Sequence, residues 1–241
     1  MAVVGVDGIR GGCLLAVKQG REVVLERASD FAAVLNLANR AEAIAIDMPI
    51  GLLEVAVSGG RECDRLAREQ LEPGKKSCVF SSPCRPALSA KNHAEACEIS
   101  RASSPEGLGV SKQCFGLFEK LRDLDRVMTP PLQSRCFEVH PEVSFVALRN
   151  AVAPRDPTLA PLQKKSRQLG RNQRITLFQR DGWIGVSDLV RRGRALGAKP
   201  DDVLDACVAA WTAERIARDE AKRVPRNPPK DARGLRMEIW F

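Results

Sequence analysis

The stretches AVVGVDGIRGGCLLAV (residues 2–17) and AIAIDMPIGL (residues 43–52) decide how this chain folds. Each opens with a short apolar run that ends on an aspartate, Asp7 in the first and Asp47 in the second. Continuous apolarity marks a strand covered on both faces. A carboxylate at the end of such a strand is costly to bury unless something meets it. Working outward, GCLLAV (12–17) and EVVLERA (22–28) are two further strands, set off by the turns GIRG and KQGR. SDFAAVLNLANR (29–40) predicts a helix capped by Ser29 or Asp30, with Phe31, Val34, Leu35 and Leu37 at helical spacing. The order through residue 47 is β-β-β-α-β.

Residues from about 55 to 130 differ in character. GGRECDRLAREQL (59–71) is a charged amphipathic helix, EPGKKSCVFSSPCRPALSA (72–90) is loop-like, and NHAEACEIS (92–100) and SKQCFGLFEKLRDLDRVM (111–128) are helical patterns. This reads as a helical insertion between the fourth and fifth strands. SRCFEVH (134–140) is that fifth strand, and PEVSFVALRN (141–150) a helix opened by proline. KKSRQLGRNQRITLFQR (164–180) is basic with helical period, and KPDDVLDACVAAWTAERIARDEA (199–221) is the clearest helix. LRMEIWF (235–241) reads as an edge strand. The fold class expected is α/β: a ribonuclease H-like mixed five-stranded sheet flanked by helices, one domain over 1–241 with the insertion at about 55–130.

In that topology the first and fourth strands run side by side and parallel, so Asp7 and Asp47 become neighbours at the ligand-binding edge of the sheet. Adjacent carboxylates repel, and a divalent cation between them relieves this. Asp7 before Gly8 is also a common turn signal; Asp47 before Met48 has no such motif. In PDDVLDACVAAW (200–211), Asp202 and Asp205 share a helix face. Asp201 reads as the N-cap, and Asp202 suits the positive helix end. Asp205 lies too deep to cap and is surrounded by apolar and small residues, so it calls for a cation. On the fifth strand Glu138 and His140 share a face; Glu138 can complete the acidic cluster, and His140 can transfer protons or form a polar strand end. Glu142 falls in the first turn of the following helix, where the dipole favours it.

The bulk numbers restrict partners. The chain has 241 residues and a formal net charge of +8, which suits a polyanion such as nucleic acid. The absence of Tyr, with few Phe and Trp, counts against base-stacking platforms. Eight cysteines without CxxC spacing and only two histidines argue against structural zinc and for reduced, mostly buried thiols. No stretch nears the ~18 uninterrupted apolar residues of a membrane helix. A strand-like run from Ala2 leaves no room for a signal peptide, so the expected location is cytoplasmic. No pattern sets the oligomeric state, a homodimer being one open arrangement.

GVDGIRGG, AIDMPIGL, RECDRLAR, VFSSPCRPAL, FEVHPEVSF, the KK…GR…R run and DDVLDACVAAWTAERI together resemble the DUF429 family, described as predicted ribonuclease H-like nucleases. DDVLDACVAA is also similar to the last acidic helix of Holliday-junction resolvases. The resemblance implies Asp7, Asp47, Asp202 and Asp205 as ligands of Mg²⁺ or Mn²⁺. The strand-four acid of the resolvases is usually Glu; Asp47 reaches one methylene less far. The implied activity is metal-assisted phosphodiester hydrolysis, with Asp7, Asp47, Glu138, Asp202 and Asp205 catalytic. Lys164, Lys165, Arg167, Arg171, Arg174 and Arg85 would contact nucleic acid, a solvated helix face being the alternative for the 164–174 run. Arg61, Asp64 and Arg68 either shape a pocket or form internal ion pairs. Two other classes stay open. One is an actin-like or sugar-kinase-type ATPase using the DGIRGG turn, which lacks a second glycine-rich phosphate loop in FEVHPEVS. The other is a non-catalytic metal- or nucleic-acid-binding module of the same fold.

Overall fold

The structure, a computed structural model, describes residues 1–155 and 159–241. The chain divides into two compact units. Met1–Asp47, Arg135–Lys222 and Trp240–Phe241 form the first, and Met48–Ser134 with Arg223–Ile239 the second.

The first unit is built on a mixed five-stranded sheet. Strands β1 (Ala2–Ile9), β2 (Gly12–Gln19) and β3 (Glu22–Ala28) form an antiparallel meander. Strand β4 (Ala43–Ile46) runs parallel to β1, and β5 (Cys136–Glu138) parallel to β4, giving the order β3-β2-β1-β4-β5. Helix α1 (Phe31–Leu37) links β3 to β4; Asp30 caps it, accepting the Ala33 N–H at 2.8 Å. After β5 come α6 (Pro141–Val152), α7 (Gln168–Arg180), α8 (Val186–Gly193) and α9 (Pro200–Ala217). Of the expected terminal strand, Ile239–Trp240 is extended, and Trp240 makes a parallel bridge with Val139.

Helix α9 lies directly on the sheet because the residues between them are small. Val3, Ala43, Ala45, Val139, Ala209 and Ala213 form one buried cluster. Gly5 stands at the centre of this face, and a β-carbon there would sit 2.1 Å from both the Ala206 carbonyl oxygen and the Ala210 nitrogen. Only a residue without a side chain lets the helix backbone come this close. On the neighbouring strand, Leu14 and Ala16 join Ala206, Ala210 and Phe145 in a second cluster.

The second unit carries α2 (Glu62–Glu69), α3 (His93–Ser103), α4 (Lys112–Phe115) and α5 (Phe118–Val127), helices that lie between β4 and β5 in the chain. Arg61 and Asp64 form a buried ion pair at 2.7 Å. Arg61 also donates to the carbonyls of Ile50 and Gly51 at 3.0 Å each, and Asp64 accepts the Ser82 N–H at 3.0 Å. Arg68 donates to the Gly59 and Val79 carbonyls at 2.6 and 2.8 Å. The charged residues of RECDRLAR thus tie the unit's loops to its first helix. All eight cysteines are free thiols; Cys78 is exposed and the others are buried. No helix among the described residues is long and apolar enough to cross a membrane.

Candidate metal centre

The register that joins β1 to β4 also builds the site. Val6 lies opposite Ile46, and the Asp47 N–H donates to the Val6 carbonyl at 2.9 Å. Asp7 and Asp47 therefore stand level at the carboxyl ends of adjacent parallel strands. Side chains alternate along a strand, so Asp7 shares a face with Val3 and Gly5, and Asp47 with Ala43 and Ala45. That face is the one under α9. On α9, Asp205 precedes Ala209 and Ala213 at steps of four, which puts it on the sheet-facing side. One carboxylate oxygen from each of Asp7, Asp47 and Asp205 lies within 4.8 Å of the others.

This placement raises the pKa of all three carboxyls. Burial, then the charges of Asp205, Asp47 and Asp202, holds Asp7 well above the ordinary aspartate value. Burial and the Asp205 charge push Asp47 up to about 7, while Lys165 and a hydrogen bond from Asp7 pull the other way. Burial pushes Asp205 up to about 6 against the opposing pull of Lys165. A hydrogen bond also joins the Asp7 and Asp47 side chains. The Asp205 Oδ2 accepts the Lys165 ammonium, whereas its buried Oδ1 has no hydrogen-bond partner. Three convergent carboxylates with an unsatisfied buried oxygen could hold a metal ion.

Asp202 is not a member of this group of three. The N-cap of α9 is Lys199 rather than the expected Asp201, and Asp202 accepts the Lys199 N–H at 2.8 Å. Pro200 occupies the first helical position, which moves the cap earlier than an Asp201 cap requires. The charge of Asp202 nevertheless raises Asp7. Glu138 pairs in register with Ile46, not with Asp47. This directs it to the face opposite Phe137 and Val139, which pack toward α9. It is buried, and its charge adds to the upward shift of Asp47. His140 is the half-buried N-cap residue of α6, its carbonyl accepting the Ser144 N–H at 2.9 Å.

The basic run departs from the expected continuous helix. Residues 164–167 precede α7, and of their cations only Lys164 and Arg167 are exposed to solvent. Lys165 turns inward to Asp205. Arg171 donates to the Ser166 carbonyl at 2.8 Å and to Gln168 at 2.9 Å. Arg174 is fully buried, which corrects its expected place on a nucleic-acid surface. It pairs with Glu142 at 2.6 Å, donates to the carbonyls of Gln163 and Gly170 at 3.0 and 2.9 Å, and stacks over Phe145. Glu142, read from sequence as a helix-dipole residue, is the counter-charge of this arginine. Arg85 belongs to the second unit, where it pairs with Glu54 at 3.0 Å and with Asp125 and Asp231. Its guanidinium nitrogens, like the two Nη atoms of Arg174, are taken up by the protein itself.

The sequence reading missed the Lys165–Asp205 pair and the Glu142–Arg174 pair. Both join residues over 30 positions apart, and no local pattern links them. The Gly5 contact had a local trace: a glycine two residues before Asp7, matched by the alanines of ACVAAW.

A search of curated proteins gives no match, and a search of solved structures gives none. A family model, that of the DUF429 family described as a protein of unknown function, matches residues 5–230. The match covers nearly all of the sequence, and the chain belongs to the DUF429 family.

Proposed function

We propose that this protein is a divalent-metal-dependent phosphodiester hydrolase of ribonuclease H-like fold, acting on nucleic acid. The carrying observation is the convergence of Asp7, Asp47 and Asp205 within 4.8 Å, from two parallel strand ends and one helix. The strand order β3-β2-β1-β4-β5, with three antiparallel strands followed by two parallel ones, supports the fold assignment. Mg²⁺ or Mn²⁺, when bound, supplies Lewis-acid charge and a water nucleophile at neutral pH.

The chain's own part is to hold and neutralise. Asp7, Asp47 and Asp205 would be the ligands, and a proton held by any of them would leave as the cation enters. Asp202 would add negative potential while capping α9. His140, at the start of α6, is the proposed proton-transfer group. Lys164 and Arg167, exposed beside the cluster's lysine, would neutralise backbone phosphates without reading bases. A net charge of +8 would draw a polyanion toward the protein.

The test is a cleavage screen over DNA, RNA, hybrid and branched substrates with Mg²⁺ and with Mn²⁺, using wild type and Asp7→Asn. Metal-dependent cutting that Asp7→Asn abolishes is expected. Wild-type protein that cuts none of these substrates with either metal would end the hydrolase reading. Stabilisation by ATP in its place would favour the phosphotransferase class.

A further inference from the structure

Lys165 occupies the position in which an acidic cluster needs a cation. Its ammonium hydrogen-bonds the Asp205 carboxylate. Its charge also acts on Asp7 and Asp47, lowering both. Burial alone would lower the lysine, but Asp205, Asp47 and Asp7 outweigh this and hold it above the ordinary lysine range.

The loop that delivers Lys165 is built for the purpose. A β-carbon on Gly170 would sit 2.2 Å from the Lys164 carbonyl oxygen, so the loop rests against the α7 backbone. The buried Arg174 holds the Gln163 carbonyl at 3.0 Å, and Arg171 holds that of Ser166 at 2.8 Å. The backbone is thereby fixed on both sides of residue 165. The side chain itself is not enclosed: it is 38% exposed, against 4% for its partner Asp205. The lysine is thus the more solvent-accessible partner of the pair.

We infer that Lys165 is an exchangeable counter-ion, which neutralises the metal-free cluster and is displaced from Asp205 when a divalent cation enters. This rests on the reading of the cluster as a metal site. The ammonium offsets one negative charge of the metal-free cluster, whereas a divalent cation, whose ligation requires all three carboxylates ionised, offsets two of three. A divalent cation leaves one after the lysine has swung away. Both cations together at Asp205 would repel at short range in a poorly hydrated site. Metal and lysine therefore compete for the same carboxylate cluster, and the lysine sets a threshold for metal binding.

Calorimetric titration of Mn²⁺ into wild type and Lys165→Met tests this. The variant is expected to bind Mn²⁺ at least about tenfold more tightly, having lost its competitor. Trace acetylation of wild-type Lys165, followed by mass spectrometry, provides a second measurement that needs no variant. Labelling is expected to be slow in metal-free protein and severalfold faster at saturating Mn²⁺. Equal or weaker Mn²⁺ affinity in Lys165→Met overturns the inference while leaving the metal site standing. If the variant does not fold, labelling that is unchanged by saturating Mn²⁺ overturns it alone. Absence of Mn²⁺ binding in both folded proteins instead overturns the metal-site reading, and the inference with it.

Discussion

Gly5 and Ala206 touch backbone to backbone: a β-carbon added to Gly5 would stand 2.1 Å from the Ala206 carbonyl oxygen. This approach sets the height of α9 above the sheet. Asp205 is the next residue back along that helix, so the same approach sets its distance from Asp7. Gly5→Ala forces helix and strand apart. It should cost about 1–3 kcal/mol or more, as overpacking does in a close-packed interior. Urea unfolding measures the effect. A Gly5→Ala protein as stable as wild type would contradict the packing account.

Ionisation of the buried carboxyls should tilt the stability of the metal-free protein with pH. Asp47 titrates at about 7 in the folded state, against 3.8 as its ordinary value. Between those values the unfolded chain loses a proton that the folded chain keeps, so stability falls as pH rises through this window. Asp47→Asn lacks that fall. Relative to wild type the variant should gain stability from pH about 4 to about 7 and then level off, by on the order of 1.4 kcal/mol per pKa unit. Chelator-treated proteins unfolded in urea across this range give the comparison. A difference independent of pH would mean that Asp47 ionises normally.

The Arg174–Glu142 pair is buried on both sides, at 0% and 7% exposure. Removing the arginine strands a carboxylate in the interior, so Arg174→Met should cost about 3–5 kcal/mol. The Gln163 carbonyl is left without this donor as well, and the 163–167 loop should become more open to proteolysis. Thermal unfolding and limited trypsin digestion report the two effects. A small drop in stability with an unchanged digestion pattern would contradict the anchoring role.

Phosphate binding should come from the exposed part of the basic run alone. The Lys164→Ala, Arg167→Ala double variant should bind all nucleic-acid sequences more weakly. It should also lower the slope of log affinity against log salt by about 1 for each cation removed from a phosphate. Fluorescence anisotropy at several salt concentrations measures this. An unchanged slope would remove both residues from the nucleic-acid surface.

The sheet and the first two carboxylates were legible because local patterns carried them. The apolar runs ending at Asp7 and Asp47 showed the strands, and their parallel pairing brought the two residues level. Asp205 was legible as a carboxylate too deep in a helix to cap it. Asp202 was legible as a residue suited to the positive helix end, and only the family resemblance made it a ligand; its bond from the Lys199 N–H fits the first of these. Glu138 was harder to place because a one-residue difference in register reverses a strand's faces, and register is not written in a three-residue strand. Of the cations in 164–174, composition shows the charge but not its direction. Whether Lys165, Arg171 and Arg174 face solvent or protein depends on how the 163–167 loop returns onto α7, a tertiary approach set by Gly170.

The most direct test of the carboxylate cluster as a metal site is anomalous diffraction from crystals of this protein grown or soaked with Mn²⁺. The account predicts a Mn²⁺ peak bonded to carboxylate oxygens of Asp7, Asp47 and Asp205. Saturating Mn²⁺ with no anomalous peak at these three residues would contradict it.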